Sequence, residues 1–212
     1  MPLNSTAAVH VTNNYRSYKV NRKQITALAA EICLRLRVAH YEVCVQFVSP
    51  KVMRSLNSQY RDKDMSTDVL AFPQYDWKRA LKFQANPPTS RPILNPLPLG
   101  DIVISTEDAA ANAKESKSDL DKEICFLMVH GILHLVGHDH LKPAEKTRMF
   151  GEQKKLMRVF SGSKLKAPAW TGCVTPAGKS KSGTPKKKKS ATTAKSKAKK
   201  LTKEPNRPAR RQ

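Results

Sequence analysis

The feature that most restricts what this chain can fold into lies near its end. From Ser161 to Gln212, sixteen lysines and arginines stand against one acid, Glu204, and the stretch "GKSKSGTPKKKKSATTAKSKAKKLTKEPNRPARRQ" has almost nothing large and apolar to bury. Like charges repel as such a segment compacts, so residues 161–212 are expected to be a disordered Lys-rich basic tail. Residues 1–160 must therefore build the core, and they suffice for one domain of ordinary size. The formal charge of +22 divides into +15 on the tail and +7 on the body. A solvated extension is one reading of the tail. A polyanion tether is the other, because each lysine that neutralises a phosphate releases counterions whatever the base sequence.

Periodicity within the body predicts an α+β fold, a small mixed sheet of about four strands packed with about five helices. "AVHVTNNY" alternates as a first strand does. Asn21 and Gln24 then have the form of a capping box before Ile25, Leu28, Ala29, Ile32 and Leu36 at helical spacing. Val43, Val45 and Phe47 mark a second strand, and Ser49 with Pro50 starts a helix running to about Tyr60. "DVLAFP" and "GDIVIS" are short apolar strands on either side of a surface excursion. Residues 73–99 hold six of the fourteen prolines, which disfavour helix and central strand alike. A short helix from Thr106, a longer one capped by Ser118 and Asp121, and a last one from Pro143 carrying Met149, Leu156, Met157 and Phe160 complete the order.

Composition narrows the setting. Cys33, Cys44, Cys125 and Cys173 are too widely spaced for a metal knuckle, and no secretory leader is legible, so a reducing, cytoplasmic location is expected. Nothing approaches the roughly eighteen consecutive apolar residues of a membrane span.

The chemistry is concentrated in "HGILHLVGHDH", residues 130–140, which holds four of the six histidines. Residues four apart share a helix face, so His130 and His134 form a chelating pair. Gly137 is the residue type that most readily turns a chain out of a helix, and that turn would bring back His140 as a third ligand. Three neutral imidazoles suit one Zn²⁺ ion and leave a fourth position for water. His138 is not expected to bind the ion, and Asp139 is a candidate to orient a ligand through its other N–H. A zinc peptidase of this spacing carries its catalytic glutamate where this chain has Gly131, which takes no proton. An anionic substrate changes the requirement, since balancing charge on phosphate oxygens calls for an arginine.

Arg61 is the candidate, within "LNSQYRDKDMSTDVLAFP". Its guanidinium fork matches phosphate oxygens, although pairing with Asp62 or Asp64 at the surface is the simpler reading. "LN-x-x-YR-x-K-D-x-x-TDVL-x-FP", then "LGDIVIS", then "HG-x-LHL-x-GHDH" together resemble the YbeY family of endoribonucleases, over roughly residues 9–160. The resemblance implies a single-strand-specific zinc endoribonuclease in rRNA maturation, including rRNA 3′-end processing and ribosome quality control. It implies His130, His134 and His140 as zinc ligands and Arg61 as the essential arginine. Thr67, Asp68 and Phe72 become scaffold positions without chemistry. RNA, as rRNA precursors or the ribosome, is the implied partner. The long proline-rich loop and the basic tail depart from the family pattern. Two other readings stand beside this one: a non-catalytic ribosome assembly factor with structural zinc, and a zinc peptidase.

Overall fold

The computed structural model describes residues 7–75, 96–161 and 170–177. In chain order these form β1 (Ala8–Asn13), β2 (Tyr18–Val20), α1 (Arg22–Arg35), β3 (Tyr41–Val48), α2 (Pro50–Arg61), β4 (Val69–Pro73) and β5 (Leu97–Ser105). There follow α3 (Thr106–Glu115), α4 (Leu120–Leu135), α5 (Pro143–Phe160) and β6 (Val174–Pro176). The α+β expectation holds, with five helices among the described residues and a four-stranded mixed sheet.

Two helix starts follow the sequence cues. Asn21 accepts the backbone N–H of Gln24 at 3.2 Å ahead of α1, and Ser49 accepts that of Val52 at 3.4 Å, with Pro50 in the first turn of α2. Such side-chain oxygens satisfy donors that the helix itself leaves unpaired. The cap expected for α4 differs. Asp119 is its N-cap and makes no side-chain cap bond.

The main sheet runs β1-β3-β5-β4, with β1, β3 and β5 parallel and β4 antiparallel along one edge. Side chains alternate across each strand, so Val43, Val45, Phe47, Ile102 and Ile104 all face the side covered by α1 and α4, with α5 packed on α4, where the main core lies. Each such side chain, fully buried, contributes about 1.5–3 kcal/mol. On the opposite face α2 covers a smaller cluster of Val48, Met53, Leu70 and Val103.

β5 starts at Leu97, earlier than the "GDIVIS" reading from Gly100, and so takes in Pro98. The register with β3 shifts between Glu42 and Val43, so the proline sits beside a bulge, where a strand tolerates a missing N–H. Gly100 has φ +147°, and a side chain there would collide with the carbonyl oxygen of Phe72 on β4. The proline-rich excursion otherwise falls at residues 76–95, outside the described residues.

The expected boundary at residue 160 is corrected. Trp170, Cys173 and Val174 are buried in the main core, and β6 pairs antiparallel with β2. Asp121 fastens this segment: its carboxylate accepts the N–H groups of Gly172 at 2.6 Å and Val174 at 2.7 Å. The segment has too few apolar residues for a core of its own, and it is retained by completing one built elsewhere. The rest of the expected tail, from residue 178, lies outside the described residues.

Candidate metal centre

α4 runs beneath the sheet with a nearly continuous apolar surface, from Ile124 to Leu135, and brings His130 and His134 to the side of β4. The helix ends as the glycine requires. Gly137 has φ +87°, its N–H bonds the carbonyl of His134 at 3.0 Å, and the N–H of His138 bonds that of Leu133 at 2.9 Å. This double closure is the Schellman arrangement. It reverses the chain so that His140 returns to the other two histidines.

One ligand nitrogen from each of His130, His134 and His140 lies within 4.8 Å of the others. The Nε2 atoms of His130 and His134 are 3.1 Å apart. Two nitrogens each about 2.0–2.1 Å from one tetrahedral ion would stand roughly 3.3 Å apart, so the His130–His134 pair already has that spacing and the wider members of the set would draw together around an ion. Burial lowers the basicity of His130. It also pushes His134 down to about 4, helped by the neighbouring imidazoles of His130 and His140. Both rings are therefore neutral at pH 7, with lone pairs free to bind. His138 is outside the cluster.

The Nδ1 of His130 lies 3.2 Å from Oε1 of Gln153 on α5, and Gln153 donates in turn to the carbonyl of Phe126 at 3.4 Å. That contact makes Nδ1 the protonated nitrogen and turns the Nε2 lone pair toward the other histidines. The sequence reading had offered Asp139 for this role. The Asp139 carboxylate instead accepts the backbone N–H of its neighbour His140, at 2.7 Å. Gln153 was missed, although a signal existed: it interrupts the buried stripe of Met149, Leu156 and Phe160, and a polar residue on a core face needs a partner.

Arg61 ends α2, and the left-handed cap at Asp62, φ 55°, turns the chain away behind it. It lines the same cleft as His130, His134 and His140, a space of about 190 Å³. The simpler pairing expected for it does not occur. Asp64 is held by Arg54 through two contacts of 2.6 and 2.7 Å, and Arg61 has no ion pair among the described residues. It is exposed beside the histidines, with the Asp68 carboxylate in the same cleft.

Thr67 and Asp68 also line the cleft, with Val69 and Ala71 of β4, whereas Phe72 faces the other side of the sheet. The Asp68 carboxylate accepts three hydrogen bonds, from the N–H of Val69 at 2.8 Å, the Thr67 hydroxyl at 3.2 Å and Asn112 of α3 at 2.9 Å. It ties the loop to α3.

Gly131 forms part of the cleft floor, and a Cβ there would meet Ile102 side-chain carbons at 3.0–3.3 Å. α4 lies so close to β5 that any side chain in the place a peptidase gives to glutamate would press on Ile102.

An α+β domain carrying three imidazoles at metal-binding distance, with a free arginine at their side, defines a candidate hydrolytic metal centre for an anionic substrate. The chain belongs to the YbeY family: residues 10–161 match the family described as Endoribonuclease YbeY. A Lysinibacillus sphaericus protein of that name is 37% identical over 122 residues, 56% of this chain and 72% of that one. One from Alkaliphilus metalliredigens is 36% identical over 143 residues, 66% and 86% of the two chains. The solution structure of TM1509 from Thermotoga maritima superposes with a TM-score of 0.48 at 25% identity, covering 71% of this chain and 87% of that one. No helix among the described residues is long and apolar enough to cross a membrane.

Proposed function

We propose that this chain is a zinc-dependent, single-strand-specific endoribonuclease that acts on rRNA precursors, in 3′-end processing and ribosome quality control, in the cytoplasm. The observation that carries the reading is the joint presence of three clustered imidazoles and the unpaired Arg61 in one cleft. Membership of a family whose relatives are named endoribonuclease supports RNA as the substrate.

His130, His134 and His140 would hold the ion, and Gln153 keeps the His130 ring turned for it. A divalent zinc ion bound there supplies Lewis acidity and lowers the pKa of water to about 7. Arg61 binds the phosphate at the scissile bond and offsets the charge that grows on its oxygens. Asp68, occupied by three donors, keeps its wall of the cleft in place rather than moving protons. A space of about 190 Å³ takes in one phosphate group at a time, and an unpaired strand can bend to lay it there. The Lys-rich residues beyond 178, with few acids among them, add affinity for RNA backbone irrespective of sequence.

The peptidase alternative lacks its base, because Gly131 carries no side chain to take a proton. An assembly factor with structural zinc is separated from an enzyme by activity. His134→Ala and Arg61→Glu, purified as full chains and assayed on a labelled single-stranded rRNA 3′ precursor, are each expected to lose cleavage. Unimpaired cleavage by both variants would dispose of the proposal.

A further inference from the structure

A larger recess, about 590 Å³, lies on the opposite face of the main sheet from the histidines. Its floor is the outward face of β1, β3 and β5, including Thr12, Gln46 and Asp101, and its wall is Tyr60 of α2 with Phe72 of β4. The proposed chemistry leaves it unused. The lining mixes the polar Thr12, Gln46 and Asp101 with apolar surface from Leu56 and Val103, and it stays open because α2 shields only the cluster around Met53 and Leu70.

Two adjacent residues link this groove to the cleft. Arg61 lines the cleft and Tyr60 lines the groove. Between the two spaces stands β4, a single edge strand, with Val69 and Ala71 directed to the cleft and Phe72 to the groove. Consecutive residues of α2 thus serve the two spaces, with only the edge strand β4 between them.

We infer that the groove is a nucleobase seat: the base next to the phosphate held by Arg61 crosses the edge of β4 and stacks on Tyr60. This rests on the reading that the chain acts on RNA. Tyr60 is 59% exposed yet fixed edge-to-face against Phe72, with ring centroids 5.1 Å apart, so it offers a rigid aromatic surface without needing to be ordered on binding. The side chains of Thr12 and Gln46 make no hydrogen bond among the described residues. An amide carries both a donor and acceptors, the complement of a nucleobase edge, and Asp101 adds an acceptor suited to an exocyclic amino group. No lysine or arginine lines the recess, and His10, which does, lies 3.3 Å from the Glu42 carboxylate. Such a lining recognises a base and leaves phosphate to Arg61. Only an unpaired base can reach it.

The test uses the full chain with zinc and single-stranded RNAs in which one abasic nucleotide is moved through the positions flanking the cut. For the unaltered protein, removal of the base at one flanking position is expected to raise KM about tenfold with little change in kcat, the scale of one base–aromatic stack. Tyr60→Ala should show that raised KM on intact RNA and no further penalty from the abasic site, while Tyr60→Phe behaves as the unaltered protein. Gln46→Ala should change which base is preferred at that position. An abasic penalty equal in the unaltered protein and Tyr60→Ala, or absent at every position, overturns the base seat and leaves the nuclease reading standing. A protein that binds these RNAs without cutting them overturns the nuclease reading, and fluorescence anisotropy with the same RNAs still reads the coupling between Tyr60 and the missing base. A protein that binds none of them overturns both.

Discussion

Gln153 Oε1 lies 3.2 Å from Nδ1 of His130, joining α5 to the metal-cluster helix through a side chain only 2% exposed. The contact sets which imidazole nitrogen carries the proton. Gln153→Leu keeps the volume but removes the acceptor, and zinc affinity is expected to fall about 10- to 100-fold. Gln153→Glu, which still accepts, should retain most of it. Competition with a chromophoric chelator reads both.

Gly131 tests how closely α4 lies on the sheet. Alanine in place of a helical glycine ordinarily gains about 1 kcal/mol. Here its methyl would meet Ile102 at 3.0 Å, and Ile102 is wholly buried, so overpacking of about 1–3 kcal/mol is expected to outweigh the gain. Gly131→Ala should therefore unfold at lower denaturant, and adding Ile102→Val, which removes the Cδ1 methyl, should recover part of the loss. Gly131→Glu should be destabilised further and acquire no peptidase activity.

Asp121 anchors the segment 170–177. Its carboxylate accepts two backbone N–H groups in charge-assisted bonds, and Asp121→Ala should cost about 2–3 kcal/mol in urea unfolding. Ending the chain after residue 160 should cost more, since it uncovers the core where Trp170 and Cys173 sit, whereas ending it after residue 178 should leave stability unchanged. Equal stability of the two truncations would contradict this account of the C-terminal segment.

Arg61 and the histidines should separate in their effects. Arg61→Ala is expected to reduce kcat by about 10²–10³, the cost of losing a positioned donor for transition-state charge, while zinc affinity stays unchanged. His140→Ala should lower zinc affinity itself. Metal content by mass spectrometry beside the cleavage rate distinguishes the two.

Local physics explains how much was legible from the residues alone. The caps at Asn21 and Ser49, the alternation of Val43, Val45 and Phe47, and the turn at Gly137 depend on neighbours within a few positions, and each is found as the pattern predicts. So is the histidine cluster, because two of its members are one helical turn apart and the third follows a turn of short length. Other features needed the fold. Gln153 is 23 residues from His130, Asp121 is 51 and 53 residues from the amides it binds, and Tyr60 shares a groove with Thr12 and Gln46 only because β1 and β3 pair.

The sequence by itself determined the elements, their capping, the histidine helix and its reversal, since these arise from backbone preferences and from the 3.6- and two-residue periods. Tertiary structure alone decided that Arg61 stands without an ion pair beside those histidines, that a side chain at position 131 would press on Ile102, and that residues 170–177 belong to the folded body. Each of these depends on which distant surfaces come within a few ångströms, and packing sets those distances rather than any local preference of the chain.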